Sequence, residues 1–234
     1  MNNEQKVTIG ILTGMGPKST SPFLDLIIEQ CQKQYGATYD FDFPHILIYS
    51  LPTPFYVEQE IDDKAMEASI CVGLQKLEST GVDFISMPCN SAHKYFKVLE
   101  KCINIPLLHI VEATVKKLGA DLGKTSILAT RITIESGIYQ EVLEQAGSEL
   151  FLEEEWQQEV DNLIQAVKGG ENEGGLLEII ERLSKYLREE NVKTIIVACT
   201  DITAIAKMLS GFEVIDSSEA LAEETIRTYL ELTK

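Results

Sequence analysis

Basic residues are scarce in this chain. Its 234 residues hold 20 Lys and Arg against 37 Asp and Glu, a formal charge of −17. A nucleic-acid partner needs a basic surface to displace phosphate counterions, so that class is excluded. Docking on an anionic membrane is excluded for the same reason. A local positive pocket for a small anion stays compatible with this balance. Apolar runs of the ~18–20 residues that a membrane span needs are missing. Met1–Lys6 lacks the charged-then-apolar plan of a signal peptide, so the expected location is the cytoplasm. Histidine is limited to three and cysteine to five, with no CxxC pair and no metal-ligand spacing. No metal site is expected. An odd cysteine count without an export signal predicts free thiols rather than a disulfide framework, with Cys31, Cys71 and Cys102 as small buried hydrophobes on helices.

What is present is ordinary globular material, 44% hydrophobic and 24% charged. This excludes a disordered chain, a collagen and a coiled coil. The length suits one large domain or two of about 110 residues. Short β-branched runs alternate with helix-period segments. Strands are predicted at Val7–Leu12, His45–Tyr49, Val82–Met87, Pro106–Ile110, Thr125–Ala129, Glu149–Leu152, Thr194–Ala198 and Glu213–Ile215. Near-continuous Ile, Val and Leu marks strands covered on both faces of a parallel sheet. Amphipathic segments at Ala65–Ser79, Ile134–Gln145, Leu176–Glu189 and Glu219–Leu232 supply the helices. The predicted fold class is α/β with right-handed crossovers. The glycine-rich stretch 169–175 reads as a loop, and Trp156, among glutamates, as a half-buried aromatic on an acidic helix.

The halves look duplicated. Ile9-Gly-Ile-Leu-Thr-Gly parallels Ser126-Ile-Leu-Ala-Thr-Arg, and Val82-Asp-Phe-Ile-Ser-Met-Pro-Cys89 parallels Val192-Lys-Thr-Ile-Ile-Val-Ala-Cys199. Ile105-Pro-Leu-Leu-His-Ile parallels Phe212-Glu-Val-Ile-Asp-Ser, in the same order. Ligands of open α/β sheets bind at the carboxyl ends of strands. Two such halves facing each other are expected to hold an active site in the cleft between them, with Cys89 and Cys199 at matching strand ends. Each thiol opens a helical segment, where unpaired N–H groups favour thiolate and seat a carboxylate. One thiolate can remove a Cα proton while a thiol opposite returns one to the other face. This arrangement demands no cofactor. His93, four residues after Cys89, either tunes that thiolate or serves as an amide-bonded structural histidine; His109 is expected to end a strand.

The motifs Ile9-Gly-Ile-Leu-Thr-Gly-Met-Gly-Pro17, Met87-Pro-Cys-Asn-Ser-Ala-His93, Leu107-Leu-His-Ile110, Leu128-Ala-Thr-Arg-Ile-Thr133 and Ala198-Cys-Thr-Asp201 resemble the aspartate/glutamate racemase superfamily, and within it the cofactor-independent aspartate racemase branch. The resemblance implies two pseudo-symmetric α/β domains, residues 1–103 plus 211–234 and residues 104–210, and a homodimer. It implies Cys89 and Cys199 as the acid–base pair, and Asn90, Ser91 and Thr200 as carboxylate binders. Met15 and Gly16 meet the substrate from the first strand, Thr130 and Thr133 from the equivalent loop. Lys168 matches a lysine that contacts a distal carboxylate, and Asp201 stands where the family has a glutamate.

One stretch departs from the pattern. Aspartate racemases carry an arginine-bearing motif like Asn-Pro-Gln-Ile-Pro-Asp-Arg after the second strand. Here the sequence is Ser50-Leu-Pro-Thr-Pro-Phe-Tyr-Val57, with Val57 at the arginine's place. Arg131 is the candidate replacement. Phe55 and Tyr56 alternatively shape the pocket for another side chain, and Thr53 is a binding candidate. The resemblance thus implies an amino-acid racemase acting on aspartate or glutamate. A hydantoin racemase, a maleate isomerase or a non-catalytic amino-acid-binding protein on this scaffold are the alternatives. A single-thiol decarboxylase keeps only one of the two cysteines and is disfavoured.

Overall fold

The computed structural model describes residues 7–54, 61–119 and 122–234. The chain divides into two units, Met1–Ile110 with Leu221–Lys234, and Val111–Ala220.

In the first unit, β1 (Thr8–Thr13), β2 (His45–Ser50) and β3 (Phe84–Ser86) form a parallel sheet of order β2-β1-β3. Helix α1 (Thr20–Tyr35) crosses from β1 to β2, and α2 (Asp63–Glu78) from β2 to β3. Helix α1 stops at Gly36, whose φ of 74° is the left-handed cap. The Asp62 carboxylate starts α2 by accepting from the Lys64 and Ala65 N–H groups at 3.0 and 3.1 Å. Leu12, Ile70, Leu74, Ile85, Met87 and Leu99 form the core on one side of the sheet. Short α3 (Phe96–Leu99) follows β3, and α4 (Ile110–Val115) carries the chain into the second unit.

This unit departs from the sequence expectation in a strand and in a cysteine pair. Pro106–Ile110 is not a strand: it makes one parallel bridge, Ile85 to Leu107, and α4 begins at Ile110. Cys71, on α2, and Cys102, after α3, are joined as a disulfide across a Cα separation of 5.7 Å. Packing of α2 beside α3 brings them together; their spacing of 31 residues gave no cue. Cys31, Cys89 and Cys199 are outside the disulfide.

In the second unit, β4 (Lys124–Ala129), β5 (Glu149–Phe151), β6 (Thr194–Ala198) and β7 (Glu213–Asp216) form a parallel sheet of order β5-β4-β6-β7. Between β4 and β5 lie α5 (Arg131–Glu135) and α6 (Gln140–Gln145). The single helix predicted there is broken at Gly137, whose φ of 71° no right-handed helix accepts. Between β5 and β6 lie α7 (Glu154–Gly169) and α8 (Glu173–Glu189). The glycine-rich stretch is therefore only partly loop. Gly170 ends α7 in the left-handed region, Asn172 caps α8, and Gly174 and Gly175 sit inside the first turn. Helix α9 (Thr203–Ala206) follows β6, and α10 (Ser217–Leu232) returns the chain to the first unit. Trp156 is 0% exposed, not half-buried: it stacks on Tyr186 and packs with Phe151, Leu163 and Leu183.

The two sheets share one plan. β2-β1-β3 with the Leu107 bridge matches β5-β4-β6-β7 strand for strand. In both, the connection from the first strand goes to one side and the next crosses to the other. The switch point, where the crevice of such a sheet opens, lies between β1 and β3 in one unit and between β4 and β6 in the other.

Candidate active site

In the first unit, β1 delivers Thr13–Gly16 to the switch point. Gly14 has φ +96°, and a Cβ there would lie 2.5 Å from the Leu51 backbone, so only glycine lets the two loops approach. Leu51 donates its N–H to the Thr13 carbonyl at 2.9 Å, which ties the loop bearing Thr53 to the loop bearing Met15. The Gly16 carbonyl accepts from the Ser19 hydroxyl at 2.7 Å. Met15 and Cys89 are both half-buried against the same core. Phe55, Tyr56 and Val57 lie outside the described residues.

Cys89 follows β3 by three residues. Its N–H donates to the Met87 carbonyl at 2.8 Å, and Asn90 accepts from the His93 N–H at 2.9 Å. His93 is the residue that fixes this turn. Its Nδ1 is 2.7 Å from the Cys89 carbonyl oxygen, to which it donates, and its Nε2 accepts the Ile110 N–H at 3.1 Å. Burial, then the neighbouring His109, push its pKa down to about 4. His93 is thus a neutral, amide-bonded histidine that joins the Cys89 turn to the start of α4. His109 packs against Phe96 in a tilted arrangement, with ring centroids 4.1 Å apart, rather than ending a strand.

This burial sets a pH dependence. The unfolded chain protonates His93 near 6.5, the folded chain only near 4, so the unfolded state binds more protons between these values. Stability therefore falls on acidification through that window, by up to about 3 kcal/mol from this group. Asp216 works the other way. Burial raises its pKa to about 6 although it caps α10 through the Ser218 N–H at 2.7 Å, so its destabilisation is relieved as pH drops below about 6. Urea denaturation at pH 7, 5.5 and 4.5 should show a net loss of stability on acidification. His93→Asn, less stable than wild type at pH 7, should show a shallower loss. An equal slope in both would remove His93 as its source.

In the second unit, the last register pair of β4 and β6 is Ala129 with Ala198. The next residues, Thr130 and Cys199, leave adjacent strand ends together, as the strand spacing of about 4.8 Å requires. Thr130 sits at the N-cap position of α5, and its hydroxyl lies 3.1 Å from that of buried Thr133. Cys199 is 7% exposed and precedes the turn Thr200–Ile202.

Helix α7 braces this corner from below. Gln157 donates its amide to the Ala129 carbonyl at 3.0 Å and to Asp161 at 2.9 Å. Asp161 in turn accepts from Arg131 Nε at 2.6 Å. The guanidinium fork of Arg131 grips Glu154 in a bidentate pair at 2.9 and 2.6 Å. Lys168, at the end of α7, pairs with Asp201 at 2.9 Å. Both cations singled out in the sequence are therefore engaged by carboxylates of their own unit. Gln157, Asp161 and Glu154 had no signal in the sequence beyond lying on one helix; only the packing of α7 under β4 assigns them.

The profile of a known family, Asp/Glu/Hydantoin racemase, matches residues 12–225. The chain belongs to that family. It is 46% identical over 226 residues to the broad specificity amino-acid racemase RacX of Bacillus subtilis (strain 168), covering 95% of this chain and 98% of that protein. A glutamate racemase of Aquifex pyrophilus is 31% identical over 161 residues, 65% of this chain and 60% of that one. Among solved structures, the Picrophilus torridus aspartate racemase superposes with a TM-score of 0.79 at 30% identity, covering 95% of this chain and 94% of that one. The matched region spans both switch points.

Proposed function

We propose that this chain racemises free amino acids without a cofactor, with Cys89 and Cys199 acting as acid and base from opposite faces of the substrate Cα. One observation carries the reading. Each sheet ends its switch-point strand in a cysteine, Cys89 after β3 and Cys199 after β6, on two copies of one strand order.

The proton balance is simple. One thiolate takes the Cα proton and becomes a thiol. The electron pair left on carbon delocalises into the α-carboxylate. The opposite thiol gives its proton to the other face and becomes a thiolate, leaving the inverted amino acid. A Cα–H is a very weak acid, so the developing negative charge needs fixed donors in a site closed to water. Asn90, Ser91 and Thr200 are placed by their turns beside the two cysteines and supply such donors to the α-carboxylate. Thr130 and Thr133 contribute hydroxyls from the β4 corner, and Met15, Gly16 and Thr53 wall the β1 side. Asp201 and His93 support the two cysteine turns. A homodimer and a cytoplasmic location belong to the same reading.

The substrate range extends beyond aspartate and glutamate. The Bacillus subtilis relative is named for broad specificity, and here Arg131 and Lys168 already hold carboxylates of the chain. Proton NMR in heavy water tests the whole reading. Loss of the Cα–H signal from one or more amino acids, with the product appearing as both enantiomers, is the expected result. Absence of exchange across acidic, neutral and basic amino acids would shift the chain to a binding role or a different carbon acid.

A further inference from the structure

Asp201 lies two residues beyond Cys199, in the turn that Cys199 opens. Its side chain is 6% exposed. One carboxylate oxygen takes the Lys168 ammonium at 2.9 Å. The other, Oδ1, is buried and has no hydrogen-bond partner among the described residues. A buried carboxylate oxygen without a donor is costly, and folded chains rarely leave one unless a ligand, ion or water completes it. The charge beside it points the same way. The Lys168 ammonium is already held by the Asp201 carboxylate, while Arg131 is held farther along α7 by Glu154 and Asp161. A substrate's second carboxylate arriving here has to displace a carboxylate that the chain already holds. A substrate donor meets an acceptor that lacks one.

We propose that Asp201 is the specificity-determining residue of this unit: its Oδ1 accepts a hydrogen bond from an ammonium or hydroxyl at the end of the substrate side chain, and its pairing with Lys168 turns dicarboxylates away. This deepens the racemase reading and rests on Cys199 being one of its acid–base groups. Lys168 is then a positioning residue, holding the Asp201 carboxylate in place rather than meeting the substrate.

The test uses three amino acids of matched length: ornithine, norvaline and glutamate. Cα–H exchange and calorimetric binding are measured for the full chain and for Asp201→Asn, which keeps the shape and removes the charge. Wild type should favour ornithine over glutamate by about tenfold or more, the range of one charge-assisted hydrogen bond. In Asp201→Asn that preference should collapse or invert, as Lys168 is released for a carboxylate. Norvaline, which has no side-chain donor or carboxylate, is the reference: each rate is divided by the norvaline rate of the same variant, so a general loss of thiol chemistry cancels from the ratio. A wild type that prefers glutamate, or an ornithine-to-glutamate ratio unmoved by Asp201→Asn, overturns the proposal while leaving racemisation intact. If wild type exchanges none of the three, binding alone decides: the same shift in affinity ratio upholds the role of Asp201, and no binding of ornithine by wild type removes it.

Discussion

Replacing either Cys89 or Cys199 by alanine removes racemisation, with an expected loss of at least about a thousandfold, while each variant still exchanges the Cα proton of one enantiomer. A positioned general acid or base contributes roughly 10²–10⁴ in rate, and inversion needs both. Each remaining thiol can still remove and return a proton on its own face. Cys89→Ala and Cys199→Ala should therefore retain exchange with opposite enantiomers. Chiral chromatography of the deuterated products reads this directly. Stability should change little for Cys89, which is half-buried at the core's edge. Cys199 is 7% exposed, and alanine there removes one buried sulfur, so its unfolding midpoint is recorded beside the rates. Full activity in both variants would sink the two-base mechanism, and loss of exchange with both enantiomers in one variant would assign both steps to a single thiol.

Truncating Trp156 to alanine should destabilise the second unit by about 3–5 kcal/mol, the usual cost of emptying a large aromatic site in a core. Trp156 is fully buried, stacked on Tyr186 with ring centroids 6.1 Å apart and packed with Phe151. Its helix, α7, also carries Gln157, Asp161 and Lys168, which brace the turns after β4 and β6. The variant should thus lose activity by loosening that corner as well as losing stability. Trp156→Phe keeps an aromatic ring and drops an indole N–H that has no partner among the described residues, so its cost should stay below about 2 kcal/mol. Denaturant unfolding gives both values; equal costs for the two variants would show that the ring's packing is not what stabilises α7.

The sequence by itself determined the raw material of the strands and the strand-end positions of the two cysteines on which the proposed chemistry rests. β1, β4 and β6 were legible because strands covered on both faces need unbroken apolar side chains, and Ile9–Leu12, Ser126–Ala129 and Ile195–Ala198 are buried as that pattern demands. Cys89 and Cys199 were legible because a polar residue at the carboxyl end of such a strand stands out, and because the chain repeats the pattern twice. Tertiary structure decided what depends on partners distant in sequence. Pro106–Ile110 reads as a strand but makes one bridge, because Pro106 lacks an N–H and the Ile110 N–H is taken by His93. Trp156 looks amphipathic among its glutamates, yet α8 and β5 close over it. Cys71 meets Cys102 only because α2 packs beside α3 and the turn that follows it. The pairing of Lys168 with Asp201 and of Arg131 with Glu154 and Asp161 has no local signature either. Charge composition records how many ions a chain carries, whereas folding alone chooses which of them neutralise one another.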